Sequence, residues 1–190
     1  MRIGFIGTGG TGKSTLIHTL SDVLDEYKIR VLPSVMRDVL RRQKITIDAD
    51  FTKLDTNMVQ FIQHQGFQLR EKTEEDYRMV SWISDRTLLD HFVYCLMYCG
   101  PLDTRLTQYW ETVKQSLQTY DLLVYFPKNS IHKIENRHAD PLYHECYEAL
   151  AVHYLILANV DYTTLYVSDL QQRVNFMSAL ITKIHNSKTA

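Results

Sequence analysis

The stretch Met1-Arg2-Ile3-Gly4-Phe5-Ile6-Gly7-Thr8-Gly9-Gly10-Thr11-Gly12-Lys13-Ser14 decides how the rest of the chain is read. Ile3 to Ile6 is a short apolar run ending in a glycine-rich turn. From Lys13 to Tyr27 the apolar residues Leu16, Ile17, Leu20, Val23 and Leu24 recur at helical spacing. The order is strand, loop, helix, and Gly7 to Ser14 fits G-x-x-x-x-G-K-S/T in full at the junction where that pattern cradles phosphates. Glycines let backbone N–H groups curl toward an anion, and the helix N-terminus adds a positive dipole. Lys13 is expected to reach the β- and γ-phosphates, and Ser14 Oγ to offer a ligand to Mg²⁺. The expected nucleotide-binding set is Gly7, Thr8, Gly9, Gly10, Thr11, Gly12, Lys13, Ser14 and Thr15.

Outward from this loop, 190 residues suit one domain over 1–190 with room for a small lid. Lys plus Arg is 21 and Asp plus Glu is 22, a formal net charge of -1, which argues against a protein that grips nucleic acid by bulk electrostatics. Cys95, Cys99 and Cys146 are odd in number and lack CxxC spacing, so neither a disulfide framework nor a zinc ribbon is expected, and a reducing cytoplasmic setting is. Cys95 and Cys99 read as core packing, and the eight histidines, lacking HExxH or HxH, as loop or surface residues. No run of 18 apolar residues occurs, and the N-terminus leads into glycines instead of a signal-peptide cleavage site, so no membrane association is expected.

Further strands are expected at Arg30 to Leu32, Met79 to Ser84, Leu122 to Phe126 and Tyr162 to Val167, with helices between them. The fourth is a continuous apolar run, as in a strand buried on both faces. Parallel neighbours need crossover helices, so the alternation predicts an α/β fold, a doubly wound parallel sheet flanked by helices. The segment Thr56 to Thr73 carries Gln60, Gln63, Gln65 and Gln68 among Met58, Phe61, Ile62 and Phe67, and reads as a helix interrupted or bent near Gly66. Asp85-Arg86 follows the third strand, with Asp90 close behind. Beside a phosphate loop, Asp85 is placed to hold a Mg²⁺-bound water or to accept a proton from an acceptor hydroxyl, and Arg86 to bridge phosphates.

The phosphate loop, the Asp85-Arg86-Thr87 sequence, the helix Leu88 to Tyr98 and the segment 128–140 resemble the P-loop small-molecule kinases. Within these the chain is similar to nucleoside and nucleotide kinases of the deoxynucleoside kinase and thymidylate kinase type, and to the AAA-like ATPase/kinase group that includes nicotinamide riboside kinase domains. The resemblance implies a five-stranded parallel sheet, ATP with Mg²⁺ as donor, and an acceptor held between the second, third and fourth helices. It also implies a lid over 128–140 whose cations close on the transferred phosphoryl group, with Arg137 first among Lys128, Lys133 and Arg137. Where relatives place an acidic residue after the second strand this chain has Ser34, so the general base falls to Asp85 or Asp38, and Arg37 becomes a candidate for an acceptor phosphate. The glutamine-bearing helix resembles one that reads a base edge, with Gln60 and Gln63 as amide donors and acceptors and Phe67 or Phe61 as a stacking surface. Val167-Ser168-Asp169 resembles the loop that cradles adenine. A homodimer is common in that group, though no motif here specifies an interface.

These readings converge on an ATP- and Mg²⁺-dependent kinase acting on a hydroxyl or phosphate of a nucleoside-like acceptor, with Lys13, Asp85, Arg86 and Arg137 around the phosphoryl group and Ser14 and Asp85 toward the metal. Two alternatives stand beside it. One is a kinase acting on a hydroxymethylated pyrimidine in DNA, for which Arg37, Arg41, Arg42 and Lys44 form a basic run. The other is an NTPase switch whose output is hydrolysis. A GTPase would need N-K-x-D, which is absent from the sequence.

Overall fold

The computed structural model describes residues 1–46, 54–128 and 141–189. Five strands alternate with helices: β1 (Arg2–Ile6), α1 (Lys13–Thr19), α2 (Ser21–Glu26), β2 (Arg30–Val31), α3 (Val35–Arg42), α4 (Thr56–Asp76), β3 (Trp82–Asp85), α5 (Leu88–Cys99), α6 (Arg105–Leu117), β4 (Leu122–Tyr125), α7 (Pro141–Leu157), β5 (Thr163–Thr164) and α8 (Leu170–Thr189). The sheet order is β2-β3-β1-β4-β5 and every pairing is parallel. The expected five-stranded, doubly wound sheet is therefore observed.

Its central strands are apolar because helices cover both faces. On one face Phe67 of α4, Leu89, Phe92 and Val93 of α5, Val113 of α6 and Tyr147 and Leu155 of α7 form one core. On the other, Leu16 and Ile17 of α1 and Met177 and Ile181 of α8 pack on Ile3, Phe5, Ile83 and Val124. Burying each such side chain contributes roughly 1.5–3 kcal/mol before the entropy of ordering it.

Register positions the chemistry. Phe5 is level with Asp85 on one side and with Val124 on the other, so the carboxyl ends of β1, β3 and β4 open together at one edge. That edge is where parallel α/β sheets bind ligands. The phosphate loop leaves β1 there.

The elements differ from the sequence expectation in several respects, among them the parting of the expected Lys13 to Tyr27 helix into α1 and α2 at Leu20 and the start of β3 at Trp82 instead of Met79. α4 runs unbroken through Gly66, because the absent side chain serves packing: a Cβ there would lie 2.8 Å from Met36 Cε and 3.2 Å from His91 Nδ1. The edge strands β2 and β5 shrink to two residues each, since each has only one partner strand. His64, His91 and His144 are buried, not on loops or the surface as expected, because each lies on the inward side of a helix that covers the sheet.

Candidate functional site

Gly7 and Gly12 are needed for different reasons. At Gly7 a Cβ would meet Phe126 O at 2.7 Å, so only glycine lets the chain pass the residue that follows β4. Gly12 caps α1 with φ 83°, in the left-handed region that glycine enters without steric cost. Between them the loop wraps around Lys13, whose ammonium donates to Gly7 O at 2.7 Å, Thr8 O at 2.6 Å and Thr11 Oγ1 at 3.0 Å. Burial pushes this amine down to about 8, with Asp85 and Asp90 opposing the fall and Arg86 adding to it. Reaching a phosphate means exchanging loop acceptors for phosphate oxygens, a change of partner that keeps the cation satisfied.

Asp85 ends β3 opposite Phe5, where its Oδ2 accepts a hydrogen bond from Ser14 Oγ. Burial raises its carboxyl, but the Lys13 and Arg86 cations and the Ser14 hydroxyl outweigh that and hold it below the usual carboxylate range. Ser14 is exposed. Two hard oxygen donors side by side, one of them facing solvent, suit Mg²⁺, which keeps several waters and takes one or two protein ligands.

Arg86 adopts φ 86°, a conformation costly for a residue with a side chain, and its N–H donates to Phe5 O at 2.9 Å. The turn aims its guanidinium over the loop: Nη2 lies 3.9 Å from where a Gly9 Cβ would stand, and Nη1 donates to Tyr94 OH at 2.7 Å. Asp90, wholly buried, is the junction beneath. Its Oδ1 accepts from Gly7 N at 3.1 Å and from Tyr147 OH, while Oδ2 accepts from Thr87 N at 2.7 Å and Thr87 Oγ1 at 2.9 Å. Thr87 and Asp90 form the capping box of α5, so one carboxylate both starts that helix and ties down the phosphate loop. From the other face, the buried Arg173 of α8 donates to Thr11 O at 2.9 Å and to Val167 O.

A second region lies between α4 and α5. Gln63, Phe67 and Arg70 are buried at i, i+4 and i+7 on one side of α4. Gln63 Oε1, Arg70 Nε and Nη1, and His91 Nδ1 have no hydrogen-bond partner among the described residues. Buried polar groups are normally paired, so a run of orphans along one seam marks a place for polar atoms of a ligand or for water. Burial, with Arg70 and Arg86 nearby, drives His91 well below the usual histidine range and keeps it neutral.

A family model described as an AAA domain matches residues 2–173. The chain belongs to that family. A crystal structure of NadR protein in complex with NAD and AMP-PNP is similar in fold, with TM-score 0.63 and 13% identity, covering 94% of this chain and 48% of that one. This chain thus spans about half the length of the NadR chain it matches. No curated protein matches the sequence. The G-x-x-x-x-G-K-S loop of this AAA-domain chain stands where the family's P-loop binds nucleotide, and the NadR likeness shows a shared fold. No helix among its described residues is long and apolar enough to cross a membrane.

The structure brings Lys13, Ser14, Asp85 and Arg86 together, and places Gln63 and Phe67 on the inner side of α4. Phe67 has one ring face on Tyr109, with centroids 3.8 Å apart, and Phe61 is exposed. Gln60 is half-buried, and Gln65 and Gln68 bond to each other in a groove shared with Arg42 and Lys72 of the α3–α4 side, away from the phosphate loop. Arg37 is exposed, Asp38 pairs with Arg41 at 3.2 Å, and neither is hydrogen-bonded to the phosphate loop. Lys133 and Arg137, with residues 129–140 of the expected lid, lie outside the described residues. Sequence reasoning passed over the buried roles of His91, Tyr147 and Arg173. For Asp90 a signal existed, because T-x-x-D ahead of an apolar run is a capping-box pattern.

Proposed function

We propose that the chain is an ATP-dependent phosphotransferase whose acceptor is a nucleoside-like molecule bound along the α4–α5 seam. The observation that carries this reading is the set of buried, unpartnered polar atoms on Gln63, Arg70 and His91 between α4 and α5. A switch that only hydrolyses nucleotide has no need of a second polar seam beside its phosphate loop. The NadR structure, similar in fold over about half of that chain, was solved in complex with NAD and AMP-PNP, which supports nucleotide-type ligands for this chain.

In this reading Lys13 leaves the loop carbonyls for the β- and γ-phosphates, and Arg86 neutralises charge that grows on the transferring group. Ser14 and Asp85 would hold Mg²⁺, which when bound would neutralise charge on the phosphate oxygens further. Asp85, kept ionised by its cations, is the base within reach of an acceptor hydroxyl; Asp38 is occupied with Arg41. The amide of Gln63 and the guanidinium of Arg70 read the polar edge of the acceptor, and Arg137, outside the described residues, is the further cation proposed for the transferring group. The single domain over 1–190 completes the reading.

Steady-state kinetics on Gln63→Leu and Arg70→Met test it. Each removes a hydrogen-bonding group from the seam without touching the phosphate loop, so KM for the acceptor should rise roughly tenfold or more while KM for ATP stays nearly constant. Equal effects on both substrates would place these groups in the scaffold.

A further inference from the structure

At the far end of α5, about 14 Å along the helix from Asp90, three side chains of different chemistry converge. His64 comes from α4, Cys99 ends α5, and Asp103 lies in the turn before α6. His64 Nε2 is 2.9 Å from Asp103 Oδ2 and 3.4 Å from Cys99 Sγ, and the nitrogen, sulfur and carboxylate oxygen all lie within 4.8 Å of one another. His64 and Asp103 are held from behind. Tyr109 OH sits 3.2 Å from His64 Nδ1, Tyr109 itself stacks flat on Phe67, and Arg105 grips Asp103 through N–H, Nε and Nη2 at 3.0, 2.9 and 2.7 Å. Outer partners that fix ring orientation and carboxylate direction are what metal ligands require.

We propose that His64, Cys99 and Asp103 form a site for a borderline-soft divalent cation of the zinc class, distinct from the hard-oxygen pair Ser14 and Asp85. A mixed thiolate, imidazole and carboxylate set selects zinc over Mg²⁺ or Ca²⁺, which take oxygen ligands, and three protein ligands leave a fourth position for water. On binding, the Cys99 thiol gives its proton to solvent and Sγ bonds to the metal. The His64 proton that faces Asp103 moves to Nδ1, where Tyr109 O accepts it, and Nε2 turns its lone pair to the cation. The bound ion ties α4 to α5 and to the α5–α6 turn, one residue from Gln63. It thus braces the helix that carries the polar seam, whatever reaction that seam serves.

The test is Co²⁺ titration of the full, chelator-treated chain under a phosphine reductant, read by thiolate-to-cobalt charge-transfer absorption in the near ultraviolet. The expected result is a saturable band at one Co²⁺ per chain that Zn²⁺ displaces, is lost in Cys99→Ser and survives in Cys146→Ser, whose cysteine is exposed on α7. Tyr109→Phe keeps all three ligands and should weaken cobalt binding roughly tenfold. Oxygen-only binding at Ser14 and Asp85 gives no such band. Absence of the band in the wild-type chain, or its persistence in Cys99→Ser, would overturn the proposal; should Cys99→Ser fail to fold, Asp103→Asn replaces it, and an unchanged affinity there is equally decisive.

Discussion

Lys13 carries a positive charge inside the fold, and its titration is the most direct handle on the phosphate loop. Burial lowers its ordinary value of 10.5 to about 8. The sign follows: between those values the unfolded chain holds a proton that the folded, ligand-free chain has lost, so in that window this group favours folding more as pH rises. Phosphate binding needs the charged amine, and nucleotide affinity should therefore fall as pH rises through about 8, by roughly tenfold between pH 7 and 9. Calorimetry in buffers of different ionisation enthalpy should show proton uptake on ATP binding near pH 8.5. A flat affinity profile would contradict the coupling of a lowered Lys13 pKa to phosphate binding. Asp90 is the structural counterpart. Asp90→Ala strips acceptors from Gly7 N, Thr87 N and Tyr147 OH inside the core and should cost roughly 2–4 kcal/mol in denaturant unfolding, because buried donors are left unpaired.

At the scale of elements, α4 shows what a one-dimensional reading can and cannot recover. Gly66 lies between Gln63 and Arg70 on the face that meets α3 and α5. Replacing it with alanine gains about 0.8–1 kcal/mol of helix propensity and meets first the flexible end of Met36, so Gly66→Ala should leave thermal stability nearly unchanged. Gly66→Ile must also displace His91 and should destabilise by roughly 1–3 kcal/mol, measured by the same denaturation. The strand, loop and first helix were legible because their signal is local: eight consecutive residues carry both the turn and the chemistry. Asp85-Arg86 was legible because it follows a strand. The two sides of α4 were not, since Gln63 faces the core and Gln65 the groove with α3, and only the phase of the helix against α5 separates them. His64 and Asp103 are 39 positions apart, and no spacing rule connects residues joined by the docking of α4 onto the α5–α6 turn.

At the scale of the molecule, the phosphate loop is held from three directions: by β1, by Asp90 from the α5 face and by Arg173 from the α8 face. Both cores therefore converge on one loop, and the five-stranded order places its opening at the carboxyl edge beside Asp85. The parallel five-stranded sheet and the family were within reach of the alternating pattern and the loop; the identity of the acceptor was not, because its recognition depends on side chains from separate helices. The most direct test of the account is transfer of the γ-phosphoryl group from labelled ATP with Mg²⁺ to a panel of nucleosides, nucleoside monophosphates, nicotinamide riboside and DNA containing hydroxymethylated pyrimidines, with Lys13→Ala as control. The account predicts label on a nucleoside-like small molecule and its loss in Lys13→Ala with the fold retained. Hydrolysis of ATP with no labelled acceptor, or transfer undiminished in Lys13→Ala, would contradict it.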